Sequence, residues 1–219
     1  FKKKKNLKKI NNIYLGKKFN DREILKEIKK FKLKYMKSIK INEIIAKKLH
    51  EGKIIALFDG RMEFGPRALG NRSILSRATN PDINQTLNKK LKRTEFMPFA
   101  PITISENFRE MYDDTQKNKK ACEYMTVTLR CTKKMKKISP AAIHVDGTAR
   151  PQIVYKQESK NLYNILKSYF SISKIPNLIN TSFNMHEEPI VYTPKDAIRG
   201  FLQSKIDYLY IGKYLISKN

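Results

Sequence analysis

Cysteine is nearly missing from this 219-residue chain: Cys122 and Cys131 lie nine positions apart, with no CxxC pair and no Cys/His cluster. That excludes a disulfide framework or a thiolate zinc site as the organising feature, and two free thiols in a reducing compartment are expected. Long apolar runs are lacking too. Stretches such as Ile54 to Phe58 are short, far below the roughly eighteen residues of a membrane span. The Lys-rich start is not followed by the apolar segment of a secretory signal, so no membrane partner and a cytoplasmic location are expected. Glycine and proline, at 8 and 9 residues, are not in excess, which removes fibrous and low-complexity classes. The length suits one domain with a sizeable core, and the opening at Phe1, without an initiator methionine, suggests a piece of something longer.

Acidic residues are scarce: 20 Asp and Glu stand against 46 Lys and Arg, a formal charge of +26. Such a charge invites a nucleic-acid reading. The excess, however, is mostly Lys accompanied by abundant Ile and Asn, a composition that AT-rich coding sequence produces in any protein. Much of it sits in runs (Lys2 to Lys5, Lys26 to Lys40, Lys117 to Lys120, Lys133 to Lys137) away from aromatic platforms. Nucleic acid is therefore not expected as the main partner, although the field favours small anions. Several chemical signatures are absent as well: there is no GxxxxGK[ST] loop, no GxSxG elbow and no spaced carboxylate pair, Glu187 and Glu188 being adjacent. His50, His144 and His186 have no ligand spacing, so no metal site is expected.

What is present is an alternation of helices and strands. Residues 1–40 are Lys-dominated and read as a linker with one helix that packs on something: Asn20 caps it, Glu23 follows three residues later, and Ile24, Leu25, Ile28 and Phe31 make an apolar stripe. A second helix spans Asn42 to His50 and stops at Gly52. Residues 41–219 read as one α/β (α+β) domain around a twisted mixed sheet. Its strands are Ile54 to Phe58, Phe99 to Ile104, Glu123 to Leu129, His144 to Gly147, Gln152 to Tyr155, Asn177 to Asn180 and Tyr208 to Ile211. Helices cover Pro81 to Lys92, Leu162 to Tyr169 and Asp196 to Leu202, the last capped by Thr193 with Pro194 in its first turn.

Four segments carry chemistry. In DGRMEFGPRALGNRSILS (59–76), Gly60, Gly65 and Gly70 permit close backbone approach, while Arg61, Arg67 and Arg72 offer forks for phosphate or carboxylate and Ser73 a neutral donor. The alternative is a surface loop whose arginines pair with acids. In NKKLKRTEFMPFAP (88–101), Lys89, Lys90, Lys92 and Arg93 end a helix, where basic residues also serve merely to complement the dipole. In HVDGTARPQ (144–152), His144, Asp146, Thr148, Arg150 and Gln152 fall two apart and would share one face of an extended stretch. In NLINTSFNMHEEPIV (177–191), an apolar strand ends in Asn180, Thr181, Ser182 and Asn184, a polar cluster that suits either a ligand or a turn. Many cations with neutral donors suit phosphoryl or adenylyl chemistry.

Four stretches, MEFGPRALGNRSIL (62–75), KRTEFMPFAP (92–101), HVDGTARPQ (144–152) and NTSFNMHEEPIV (180–191), in this order, resemble the C-terminal domain of the O-carbamoyltransferases that decorate antibiotics and nodulation factors. The likeness runs from about residue 53 to the end, and YLGKKF (14–19) resembles the link between that family's two halves. It implies a YrdC-like fold that holds ATP, Mg²⁺ and carbamoyl phosphate and forms carbamoyl-adenylate. An N-terminal ASKHA-type half of the same polypeptide would then pass the carbamoyl group to an acceptor hydroxyl. Carried over by motif, Arg67 and Arg150 bind phosphate, Lys92 and Arg93 form a basic pair, and Asn180 and Ser182 complete the pocket. Thr94 and Met97 depart from the family's usual acid and arginine. Two other expectations stand beside this one, an RNA-binding YrdC-type module and a threonylcarbamoyl-adenylate synthase; homodimerisation is left open.

Overall fold

A computed structural model describes residues 12–91, 99–113 and 115–218. Two helices, α1 (Asp21–Lys30) and α2 (Ile41–His50), precede the hairpin of β1 (Ile55–Phe58) and β2 (Arg72–Ser76). Then come α3 (Ile83–Lys90), β3 (Ala100–Ile104), α4 (Phe108–Met111), α5 (Thr115–Cys122), β4 (Leu129–Arg130), α6 (Lys133–Ile138), β5 (Thr148–Ala149) and β6 (Gln152–Val154). The chain closes with α7 (Lys160–Ser173), β7 (Asn177–Ser182), α8 (Pro194–Gln203), β8 (Tyr208–Ile211) and β9 (Tyr214–Ser217).

Seven strands form one mixed sheet in the order β6-β3-β7-β2-β1-β8-β9, and β4 pairs with β5 in a separate ribbon. The β1–β8 and β3–β6 pairs are parallel and the other pairs antiparallel. Side chains that alternate along the central strands feed two cores. Ala56, Phe58, Ile74, Ile179 and Leu209 pack with Ile24 and Ile28 of α1 and Ile198 and Phe201 of α8. Ile55, Leu57, Leu75, Ile102 and Leu178 pack with Ile45 and Leu49 of α2 and Leu162, Ile165 and Leu166 of α7. Burial on both faces is why β1 reads as an unbroken apolar run. The mixed α/β sheet flanked by helices is the architecture expected from the sequence.

Local signals held at both capped helices. Asn20 and Glu23 make a reciprocal capping box on α1, and Thr193 and Asp196 make another on α8 with Pro194 at its first position. Two expected strands are corrected. From Glu123 to Leu129 only the last residue is strand, because the amides of Tyr124 and Thr126 both close back on Ala121 O and Met125 turns at φ +53°. His144 to Gly147 is a turn: Gly147 N–H donates to His144 O and His144 N–H to Thr148 O. The alternation of polar groups there marks a turn network and no strand face. Strand β2 was hidden inside what reads as one long turn, and the Lys-rich α5 and α6 carry little apolar periodicity.

Candidate functional site

The β1–β2 hairpin is joined by a long loop, residues 59–71, that folds back on itself through one buried carboxylate. Glu63, 5% exposed, accepts at Oε1 from the amides of Leu69 (2.7 Å), Asn71 (2.7 Å) and Arg72 (3.2 Å). Gly70 lies at φ +115° against Leu162 of α7, an approach that a side chain would block. The sheet holds the loop from its other side. Asn180, beside Ala100 in register, donates from Nδ2 to Ala68 O (3.0 Å) and to Gln152 Oε1 (3.1 Å). Gln152 in turn donates to Leu69 O at 2.9 Å. What protrudes between these anchors is the exposed stretch Phe64-Gly65-Pro66-Arg67, with Ala68 buried at its foot.

That tip forms one wall of a cavity of about 240 Å³. Arg67 and Arg150 line it together with Asn88, Asn180, Ser182, Asn184 and His186. Arg67 is exposed at the rim, whereas Arg150, in the short link between β5 and β6, is partly buried. Burial, reinforced by the nearby Arg67 charge, lowers the Arg150 pKa, and its Nε is buried without a hydrogen-bond partner among the described residues. Among the described residues neither arginine forms an ion pair, and none of the described lining residues is a carboxylate. Two like charges sharing one hollow favour an anion between them. Among the described residues, Asn88 and Asn180 each keep a buried Oδ1 without a partner. A second hollow of about 450 Å³ shares Arg67, Arg150, Pro66 and Met125 with the first, and its other walls, Ile13, Phe64, Leu69, Tyr124 and Thr126, are largely apolar.

The structure therefore gathers Arg67, Arg150, Asn180, Ser182 and Asn184, and of the other expected residues those it describes lie elsewhere. Arg61 is not among the described lining residues and donates from Nε to Gly16 O (2.9 Å) and from Nη2 to Leu15 O (2.8 Å), fastening the 13–18 segment to the domain. Arg72 is fully buried within the sheet, its guanidinium 3.7 Å from the Phe58 ring centroid and its Nη1 serving the carbonyls of Asp59 and Asn71. Burial pushes its pKa down to about 10. Ser73 is buried in β2 and accepts from Gly70 N–H at 2.9 Å. Gly65 supplies φ +109° on the open side of the loop. His144, Asp146 and Thr148 bond among themselves, with Thr148 Oγ1 donating to Asp146 (2.7 Å) and lying 3.0 Å from His144 Nδ1. They are not among the described lining residues. Lys92 and Arg93 lie outside the described residues.

Sequence reasoning missed Glu63, Asn88 and His186. Glu63 offered a signal, since a lone acid ahead of a glycine-rich turn is a natural acceptor for its amides; nothing local marks Asn88. Cys122 and Cys131 are unpaired and buried. Among the described residues no group of three or more His, Cys, Asp or Glu could hold a metal ion, and no helix is long and apolar enough to cross a membrane.

A family model described as the carbamoyltransferase C-terminus matches residues 46–218. An uncharacterised protein of Methanocaldococcus jannaschii is 42% identical over 216 residues, covering 95% of this chain and 41% of its own length. The nodulation protein NolNO of Sinorhizobium fredii is 37% identical over 171 residues, covering 77% of this chain and 25% of its own. The chain thus spans well under half of these relatives. Among solved structures, full-length HypF in its phosphate- and nucleotide-bound form shares the fold, with a TM-score of 0.58 and 21% identity over 79% of this chain and 25% of that one.

Proposed function

The chain belongs to the carbamoyltransferase C-terminus family, and we propose that its cleft takes carbamoyl phosphate and ATP and yields carbamoyl-adenylate. The carbamoyl group then passes to an acceptor hydroxyl in a separate, N-terminal half of a longer protein. The observation that supports this reading is Arg67 facing Arg150 across one hollow with no described carboxylate to neutralise either.

Both reactants are polyanions, and the chemistry moves charge among phosphate oxygens, so positioning and neutralisation matter more than proton exchange. Water attacks the phosphorus of carbamoyl phosphate, the bridging P–O bond breaks, and inorganic phosphate and carbamate form. A carbamate oxygen then bonds to the α-phosphorus of ATP as the α–β bridge breaks and pyrophosphate leaves. In this reading Arg150 holds the phosphate from the cleft wall and Arg67 from its rim. Asn88 and Asn180 line the cleft, and an amide oxygen is the kind of partner a carbamoyl NH₂ requires. The described lining contains no carboxylate, so these residues do not fit a protein-held Mg²⁺, and the ion is carried in by the triphosphate.

Pyrophosphate release in the presence of ATP, Mg²⁺ and carbamoyl phosphate tests the proposal. Arg67→Ala and Arg150→Ala should each lower the rate by about a hundred-fold, the scale for losing one charge-stabilising donor. Release that ignores both substitutions sinks the site assignment, and release that needs threonine and bicarbonate instead of carbamoyl phosphate replaces the substrate.

A further inference from the structure

We infer that Glu63 is a positioning residue: its buried carboxylate holds three backbone amides and thereby sets where Arg67 stands over the cleft. The inference rests on the anion-binding reading above but concerns a residue that touches no reactant. Arg67 is exposed and without an ion pair among the described residues, so its own side chain does little to fix it. Its place comes from the backbone of residues 63–72. That backbone is not helix or sheet until Arg72, and its inward amides, Leu69, Asn71 and Arg72, converge on Glu63 Oε1. Charge-assisted bonds of this kind are stronger than neutral ones.

Geometry also shows why a side chain of glutamate's length, ending in an oxygen, is needed. Glu63 sits at the base of the loop and reaches across to residues six, eight and nine positions later. Aspartate, one methylene shorter, keeps the charge yet withdraws the oxygen by about 1.5 Å, which the loop must follow or lose its bonds. Glutamine keeps an oxygen in the same place without the charge. Position and charge can therefore be separated by substitution.

The experiment measures the affinity of inorganic phosphate for the wild-type chain, Arg67→Ala, Glu63→Asp, Glu63→Gln and Glu63→Ala, and for the last combined with Arg67→Ala. Circular dichroism confirms that each variant is folded. Glu63→Asp and Glu63→Ala should weaken phosphate binding about ten-fold, since small misplacements of a charged group are costly, while Glu63→Gln stays close to wild type. In the Arg67→Ala background the Glu63→Ala change should have almost no further effect on phosphate, because the group it positions has gone. A purely structural role would leave the effect the same in both backgrounds, and that result overturns the inference. Should Glu63→Ala fail to fold, Glu63→Asp against Glu63→Gln decides: equal affinities overturn it. Phosphate binding that depends on Arg67 and not on Glu63 removes this inference alone, whereas a wild-type chain that binds no phosphate removes the anion-binding reading as well.

Discussion

Replacing Gly70 by alanine perturbs the site at its most crowded point. A Cβ built there overlaps Leu162 Cδ2 well inside van der Waals contact and meets Leu162 Cγ at 3.3 Å, and the residue would have to remain at φ +115°. Backbone strain of that kind costs about 1–3 kcal/mol. Overpacking against a buried side chain adds a similar amount, about 1–3 kcal/mol, and Leu162 has little room to yield because it is 2% exposed within the α2–α7 core. A total of about 2–6 kcal/mol is a large part of the stability of an ordinary domain. Urea denaturation should show it as a midpoint lowered by roughly 1 M or more, with the slope unchanged. Combining the change with Leu162→Ala separates the causes: the overlap disappears and the strain stays, so the two substitutions should be less than additive by about 1–3 kcal/mol. A Gly70→Ala protein with a wild-type midpoint, or strict additivity in the cycle, would refute the close approach of loop and helix.

Asn180→Ala removes the donor to Ala68 O and Gln152 Oε1, and should cost about 1–3 kcal/mol in a melt, the range for buried partners left unpaired, with weaker phosphate binding. Arg61→Ala should behave differently from Arg67→Ala: exchange at the Gly16 amide, which bonds Met62 O, speeds up while phosphate affinity is unaltered. Cys122 and Cys131 have thiol pKa values pushed up to about 11 by burial, against an ordinary value of 9.0. Because the folded value lies above the unfolded one, the stability they contribute is intact below about pH 9 and declines as pH rises through about 11. Urea midpoints measured from pH 7 to 11 should fall over the upper part of this range, and a Cys122→Ala, Cys131→Ala variant should lose less.

Local chemistry made some of the fold legible. The Asn20 and Thr193 caps, the α2 periodicity and the apolar β1 run are each decided within a few residues, so the sequence displays them directly. Strand β2 was not legible because Arg72, Ser73 and Ser76 interrupt its apolar character, and their burial comes from neighbours far along the chain: Ser73 faces Ser182, and Leu75 faces Asn180. The row from His144 to Gln152 misled because a two-residue period is also what a turn produces when Asp146 accepts from Thr148.

By itself the sequence determined the family and the fold class: arginines beside glycines and short polar side chains, in four ordered stretches, mark an α/β domain of the carbamoyltransferase C-terminus family. Only the tertiary structure decided which arginines share a hollow. Arg61, Arg67 and Arg72 lie within twelve positions of one another, yet one fastens the 13–18 segment, one is sealed in the sheet and one meets Arg150 across a cleft. The physical reason is that a guanidinium's role depends on which carbonyls, rings and charges surround it, and in a mixed sheet those surroundings come from strands far apart in the chain.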